Sequence, residues 1–140
     1  MEVSLIGDVV NTASRLESLT KQYHVEFLIG EAVEALVRDE FITRTVGRSQ
    51  PKGKIKPLEI FTVLGARVPG VPEPAWLPGY EQAIELYRAR DFAAAAEGFS
   101  AVLREIPDDW LAADYLEDCR EFIEKPPPPG WNAVNVEKTK

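Results

Sequence analysis

Asn11 and Arg15 stand four residues apart in the stretch SLIGDVVNTASRLE, among the apolar residues of a predicted helix. Side chains at this spacing share one helical face, and the first turns of a helix favour bound anions. A guanidinium matches phosphate oxygens, and an amide can orient a sugar ring or a nucleophile without adding charge. The pair could therefore stabilise negative charge that develops on a phosphate. Taken alone, the spacing more often marks a polar residue and a solvated surface arginine.

The first 65 residues predict the framework that must position this pair. Their hydrophobic periodicity changes repeatedly between two and 3.6 residues. Asp8 is the expected N-cap of the helix that carries the pair. The predicted order is β-α-β-α-β-β, an α+β or α/β pattern, with strand 2–7, helix 8–23, strand 25–30, helix 31–40, strand 41–50 and strand 57–65.

The apolar spacing also predicts which faces are buried. Strand 41–50 alternates in a way that suits a half-exposed strand. Helix 31–40 should bury its apolar positions 32, 33, 36 and 37. Strand 57–65 should place four side chains on one face: Leu58, Ile60, Thr62 and Leu64.

A change of composition after about residue 65 separates this part, residues 1–65, from the remainder. Segment 66–78 is rich in Pro and Gly, which predicts an extended linker. Segment 79–125 predicts a helical tail, an α-helical hairpin or three-helix unit, with helices at 79–91, 92–109 and 108–125. Four successive prolines must end the last helix, so residues 126–140 form a Pro-rich C-terminal tail.

The helical tail resembles a tetratricopeptide unit. A small residue lets two helices approach, and aromatic residues fill the space on either side. Only one such unit and a further helix are present, so an αα-hairpin docked on another surface is an equally open interpretation. Asp108 or Asp109 should cap the last helix. The matching positions are Phe92, Ala95, Phe99 and Pro107, with Leu86 and Tyr87 at the aromatic position of the first helix.

Composition excludes several classes of protein. The 140 residues are 45% hydrophobic, and their net charge of −7 argues against a general nucleic-acid or anionic-membrane binder. One cysteine, Cys119, and one histidine, His24, cannot form an intramolecular disulfide or an ordinary zinc site. No signal peptide or membrane-length apolar run is present, so we expect a cytoplasmic chain, although the full-length protein could be anchored upstream.

The stretch around Asn11 and Arg15 resembles the Asn-x-x-x-Arg motif of class III nucleotidyl cyclases, the adenylate and guanylate cyclases. The resemblance continues through LTKQYHVEFLIGEAVEAL to VGRSQPKGKIKPLEIFTVLG, so it covers residues 1–65. It implies the C-terminal portion of a ferredoxin-like cyclase domain. The implied activity is that of a bacterial-type adenylate cyclase, which converts ATP to 3′,5′-cyclic AMP and pyrophosphate in signal transduction.

The resemblance also implies roles for individual residues. Asn11 and Arg15 would be catalytic and would act at a dimer interface. Lys52 would bind the terminal phosphates of ATP, although Lys54 and Lys56 lie close enough in sequence to compete for this role. Ser4 would help to recognise the purine, which favours ATP and the bacterial-type branch.

The metal ions of this family, Mg²⁺ or Mn²⁺, are bound by two aspartates on strands that precede the motif. We assign no metal to Asp8, a helix cap, or to Asp39 and Glu40, which should be surface charges. The expectation is therefore a C-terminal fragment that is inactive alone. It would need a homodimer partner or the missing N-terminal half of the domain.

Two other interpretations stay open. In one, the cyclase-like part is vestigial and the helical tail is a non-catalytic module that binds or regulates a protein partner. In the other, residues 1–65 form an unrelated α+β domain.

Overall fold

A computed structural model describes residues 19–50 and 57–134 of the chain. These residues divide into two compact units. The second unit is Val68–Ala133, and the first comprises the described residues before it together with Val134.

The first unit contains an antiparallel sheet of three strands and confirms the predicted α+β class. The strands are β1 (Ile29–Gly30), β2 (Phe41–Ser49) and β3 (Leu58–Ala66), in the order β1-β3-β2, with helix α1 (Glu31–Val37) between the first two. Strand β1 is shorter than the predicted 25–30, and just before it the carbonyl of Phe27 accepts a hydrogen bond from the Thr62 hydroxyl (2.8 Å).

Two bulges interrupt the hairpin of β2 and β3. Thr45 lies opposite Phe61 and Gly47 opposite Ile60, so Val46 is an extra residue on β2. Leu64 is the corresponding extra residue on β3, between the partners of Ile42 and Thr43. A bulge breaks the alternation of side chains between the two faces of a sheet.

The structure corrects the predicted faces of both strands. Arg44, Thr45 and Val46 are buried in succession, although simple alternation predicted every second residue. Leu64 is 39% exposed and does not share the buried face of Ile60 and Thr62. A glycine follows each extra residue, Gly47 after Val46 and Gly65 after Leu64, and a glycine inside a strand is a sequence signal for a bulge.

The helix predicted over 8–23 ends where expected. Residues 19–23 are helical, and Leu19 and Tyr23 are buried; residues 8–18 lie outside the described residues. His24 has a φ of +59°, and the Val25 amide donates to the Thr20 carbonyl (3.2 Å). This is the six-to-one hydrogen bond of a Schellman motif, which satisfies a carbonyl at the helix end.

The second unit consists of three helices: α2 (Leu77–Arg88), α3 (Phe92–Glu105) and α4 (Trp110–Glu124). Helix α2 packs on α3, and α3 packs on α4. The Asp109 carboxylate accepts from the Ala112 amide at 2.9 Å, so Asp109 rather than Asp108 caps α4. No helix among the described residues is long and apolar enough to cross a membrane.

A three-residue corner, residues 89–91, joins α2 to α3. Arg90 has a φ of +69°, and the amides of Arg90 and Asp91 donate to Tyr87 (3.1 Å) and Leu86 (2.9 Å), which completes a Schellman motif. The Asp91 side chain then accepts from the Ala94 amide (3.3 Å) and begins α3. One residue therefore ends a helix and the next one starts another.

Helices α2 and α3 approach each other closely at Gly98. A Cβ added to Gly98 would lie 2.8 Å from the Cβ of Ala83, which is closer than two such atoms can lie. Ala95, the small residue singled out in the sequence, is also fully buried. Phe99 fills the space beside these residues and stacks on Tyr115, with 5.2 Å between ring centroids.

Candidate functional site

The four site residues predicted from the sequence lie outside the described residues. These are Ser4, Asn11, Arg15 and Lys52; the alternatives to Lys52, Lys54 and Lys56, and the predicted helix cap Asp8 also lie outside them. The structure does describe the elements that flank two of these segments: the β2–β3 hairpin around Lys52 and the helical end that follows Arg15.

The strand ends on either side of Lys52 are paired. Ser49 lies opposite Leu58, and Arg48 lies opposite Glu59. The Arg48 guanidinium donates from Nε to Oε2 of Glu59, and both side chains are less than one-third exposed. This ion pair holds the two strands together at the base of the segment that carries Lys52.

The helical end after Arg15 is anchored by apolar side chains. Leu19 and Tyr23 are 5% and 3% exposed, and they are four residues apart, so they share a face. The Schellman motif at His24 stops the helix directly after this anchor. The helix end therefore has a defined position in the first unit.

A buried carboxylate that the sequence analysis missed joins α1 to β2. Glu34 is 6% exposed, and it accepts hydrogen bonds from Arg38 (2.6 Å) and from the Thr43 hydroxyl (2.8 Å). A buried charge needs such partners, because leaving it unpaired costs several kcal/mol, on the order of 3 or more. The Glu-to-Arg spacing of four residues was the one signal that could have identified it.

The position of Glu34 corrects the predicted face of α1. Leu36 is 82% exposed and Ala32 is also exposed, although both were expected to be buried. Because Glu34 turns toward β2, the helix presents Val33 and Val37 beside it instead. Asp39 and Glu40 are exposed, as predicted for surface charges.

The described residues do not fit a divalent metal site. No group of three His, Cys, Asp or Glu side chains in residues 19–50 and 57–134 is arranged to hold a metal ion.

In the second unit, burial and nearby charge affect two ionisable side chains. The Tyr87 hydroxyl donates to Oδ2 of Asp118 (3.3 Å). Burial, and then the charge of Asp118, raise the pKa of Tyr87 far above its usual value. Burial and the same carboxylate raise the pKa of Cys119 to about 12, so its thiol is protonated and unreactive near neutral pH.

Comparison with known proteins gives similarities to adenylate cyclases. "Adenylate cyclase, terminal-differentiation specific" of Dictyostelium discoideum is 33% identical over 128 residues, which is 88% of this chain and 6% of that protein. "Adenylate cyclase 1" of Rhizobium meliloti (strain 1021) is 37% identical over 65 residues, 46% of this chain and 10% of the relative. "Adenylate cyclase" of Anabaena cylindrica is 39% identical over 66 residues, 45% of this chain and 13% of the relative.

These similarities support a relationship between this chain and adenylate cyclases. The chain spans 6% to 13% of the lengths of these three relatives. No family model and no solved structure matches it. A match over 88% of the chain cannot fit within either unit, so the similarity to the Dictyostelium protein includes parts of both the sheet and the helices.

Proposed function

We propose that this chain is the C-terminal part of an adenylate cyclase catalytic domain, which converts ATP to 3′,5′-cyclic AMP and pyrophosphate. The observation that carries the proposal is the 33% identity to an adenylate cyclase over 88% of the chain. The order of the Asn-x-x-x-Arg motif, the Lys-Gly-Lys turn and the closing strand β3 supports it.

Asn11 and Arg15 are the proposed catalytic residues. The ribose 3′-oxygen attacks the α-phosphorus and loses its proton to solvent water. The bond between the α-phosphorus and the oxygen that bridges it to the β-phosphate breaks, and pyrophosphate leaves with the bonding electrons. The Arg15 guanidinium stabilises the negative charge that develops on the α-phosphate, and the Asn11 amide orients the ribose. Arg15 precedes Leu19 by four residues in the sequence, so a continuous helix would tie its direction to the anchored helical end.

Lys52 and Ser4 are the proposed substrate-binding residues. Lys52 neutralises the terminal phosphates, a role that suits a point charge on a long side chain. The Arg48–Glu59 ion pair supports this role, because it holds together the two strands that lead to and from the Lys52 segment. Ser4 contributes a hydroxyl that can donate to or accept from the purine.

We further propose that the site is composite. A second subunit, or the upstream half of the domain, would supply the carboxylates that hold Mg²⁺ or Mn²⁺. The chain alone is then expected to make no cyclic AMP.

A chimaera tests the proposed function. The matched 65-residue segment of the Rhizobium cyclase is replaced by the corresponding part of this chain, and cyclic AMP formation from ATP is measured. The chimaera should be active, and Asn11→Ala or Arg15→Ala should lower kcat by roughly 10²-fold or more. Lys52→Ala should mainly raise KM. Lys21→Ala, at an exposed lysine near the end of predicted helix 8–23, should change neither constant.

Two outcomes would contradict the proposal. One is unchanged kcat in both the Asn11→Ala and the Arg15→Ala chimaeras. The other is a folded chimaera that lacks activity, which would favour a non-catalytic module with a vestigial cyclase part.

A further inference from the structure

Three aromatic side chains, each from a different helix, meet at one end of the second unit. Tyr87 comes from α2, Phe92 from α3 and Phe122 from α4. Their ring centroids are 5.8 Å apart for Tyr87 and Phe92, 5.0 Å for Phe92 and Phe122, and 6.2 Å for Tyr87 and Phe122. We call these three residues the aromatic floor. Since they contact one another directly, the helices build the floor without help from other parts of the chain.

Trp131, which lies beyond the last helix, is seated on this floor. Its ring centroid is 5.3 Å from Tyr87, 5.6 Å from Phe92 and 5.4 Å from Phe122, and all three contacts are edge-to-face. Such geometry is favourable for aromatic rings beyond their burial alone. The indole is partly exposed, so it covers the floor from the solvent side.

Arg90 holds the prolines that precede Trp131. Its guanidinium donates to the carbonyls of Pro127 (2.6 Å) and Pro128 (3.1 Å). The same group lies 5.8 Å from the centre of the Trp131 ring, within the range of a cation–π contact. Successive prolines favour polyproline II, a helix without internal hydrogen bonds, so their carbonyls are available as acceptors.

Within residues 19–50 and 57–134, the side-chain hydrogen bonds of Arg90 are made to this proline segment and not to acidic side chains. Segment 66–140 carries most of the negative charge of the chain, yet Arg90 forms no ion pair with a carboxylate in the described residues. Its side-chain hydrogen bonds there all go to the two proline carbonyls. Pro126, Pro128, Pro129 and Gly130 are exposed, so the segment touches the helices mainly through Pro127, two carbonyls and one indole.

We propose that Arg90 and the aromatic floor form a binding site for proline-rich segments that carry an aromatic residue, with residues 126–131 as its intramolecular ligand. The guanidinium donates hydrogen bonds to proline carbonyls, and the aromatic floor binds the aromatic side chain three residues after the second proline. Aromatic-lined grooves also bind other polyproline II segments. A partner protein with a segment of this chemistry binds by replacing residues 126–131. This proposal does not depend on the cyclase function.

A peptide-binding experiment on the full chain tests the proposal. Trp131→Ala removes the main contact of the intramolecular ligand and leaves Arg90 and the floor in place. A fluorescently labelled peptide with the sequence KPPPPGWN, residues 125–132, should bind this variant at least ten-fold more tightly than it binds the unchanged chain. Fluorescence anisotropy measures both affinities, and circular dichroism confirms that the helices are retained.

Matched variants separate the proposed site from non-specific binding. Adding Arg90→Ala to Trp131→Ala, or replacing the peptide tryptophan by alanine, should weaken binding at least ten-fold. Adding Arg104→Ala, which removes an exposed arginine of α3, should leave binding unchanged. If Trp131→Ala does not fold, Trp131→Leu retains an apolar side chain there and is assayed in the same way. A folded variant that binds the peptide no better than the unchanged chain would overturn the proposal and leave residues 126–131 as a structural cap.

Discussion

Arg48 and Glu59 face each other across β2 and β3, and their side chains form an ion pair at the last strand positions before residues 51–56. The pair is partly shielded from solvent, so it is screened less than a fully exposed one.

Removing this ion pair should loosen the end of the hairpin. Glu59→Gln keeps the size of the side chain but removes its charge, and we expect up to about 1 kcal/mol of destabilisation. Hydrogen exchange should become faster at the amides of Ser49 and Leu58, with little change at the opposite end near Phe41. Glu26→Gln, at an exposed carboxylate of the same unit, should alter neither quantity. Equal protection in both variants would show that the ion pair does not hold the strands.

The buried Glu34 should be important for the attachment of α1 to the sheet. Glu34→Ala removes the acceptor of the Thr43 hydroxyl and of Arg38, and we expect a loss of about 2–3 kcal/mol of unfolding free energy. Glu31→Ala, at an exposed position of the same helix, should cost less than about 1 kcal/mol. Urea titration measures both. A double-mutant cycle with Thr43→Val should show non-additivity, and strict additivity would rule out the hydrogen bond as the source of the loss.

Gly98 and Gly79 should respond oppositely to alanine. Gly98→Ala places a Cβ 2.8 Å from that of Ala83, and we expect about 1–3 kcal/mol of destabilisation despite the higher helix propensity of alanine. Gly79 has open space around it, so Gly79→Ala should be neutral or stabilise by up to about 1 kcal/mol. Thermal unfolding compares the two variants. Equal melting temperatures would contradict the close approach of α2 and α3.

The helical unit should lose stability in alkaline solution. Burial raises the pKa of Cys119 to about 12 and also raises the pKa of Tyr87. Each group is neutral when protonated, so the fold keeps its full stability below the unfolded thiol pKa of about 8.5 and loses stability as the pH rises toward the folded value.

Urea unfolding at a series of pH values measures this loss. The unfolding free energy should fall as the pH is raised above about 9, and the fall should be shallower in Cys119→Ala. Tyr87→Phe should reduce the slope further, because phenylalanine has no hydroxyl to ionise. An unchanged slope in the double variant would show that other groups cause the alkaline loss.

Much of the framework follows from the sequence, because periodicity and capping chemistry are local. Strands β2 and β3 agree with their predicted positions to within about one residue, and Asp109 was one of two predicted caps. The helix predicted to end at Tyr23 does end there. These features depend on side chains and backbone within a few residues of each other.

The remaining features depend on contacts between distant residues. The positions of the bulges at Val46 and Leu64 are set by the pairing of two strands, and the glycines that follow them, Gly47 and Gly65, are only a local hint. The burial of Glu34 depends on Thr43, nine residues later, and overrides the apolar pattern of α1. Arg90 meets its proline partners 37 and 38 residues along the chain, a separation that no local pattern reveals.

The roles proposed for the candidate nucleotide site depend mostly on the sequence. Ser4, Asn11, Arg15 and Lys52 lie outside the described residues, so their roles stay predictions that the chimaera can test. The structure contributes the flanking supports, a paired hairpin and an anchored helix end.

The corner at Arg90 and Asp91 limits where this chain can be engineered. An inserted residue there would separate a helix stop from a helix start that occupy adjacent positions, and it would also move the guanidinium away from the prolines. Residues 68–73 are exposed and lie outside the helices and strands, so they neither start nor end a helix. A fluorescent label or an epitope tag is therefore better accommodated in that stretch than at the corner.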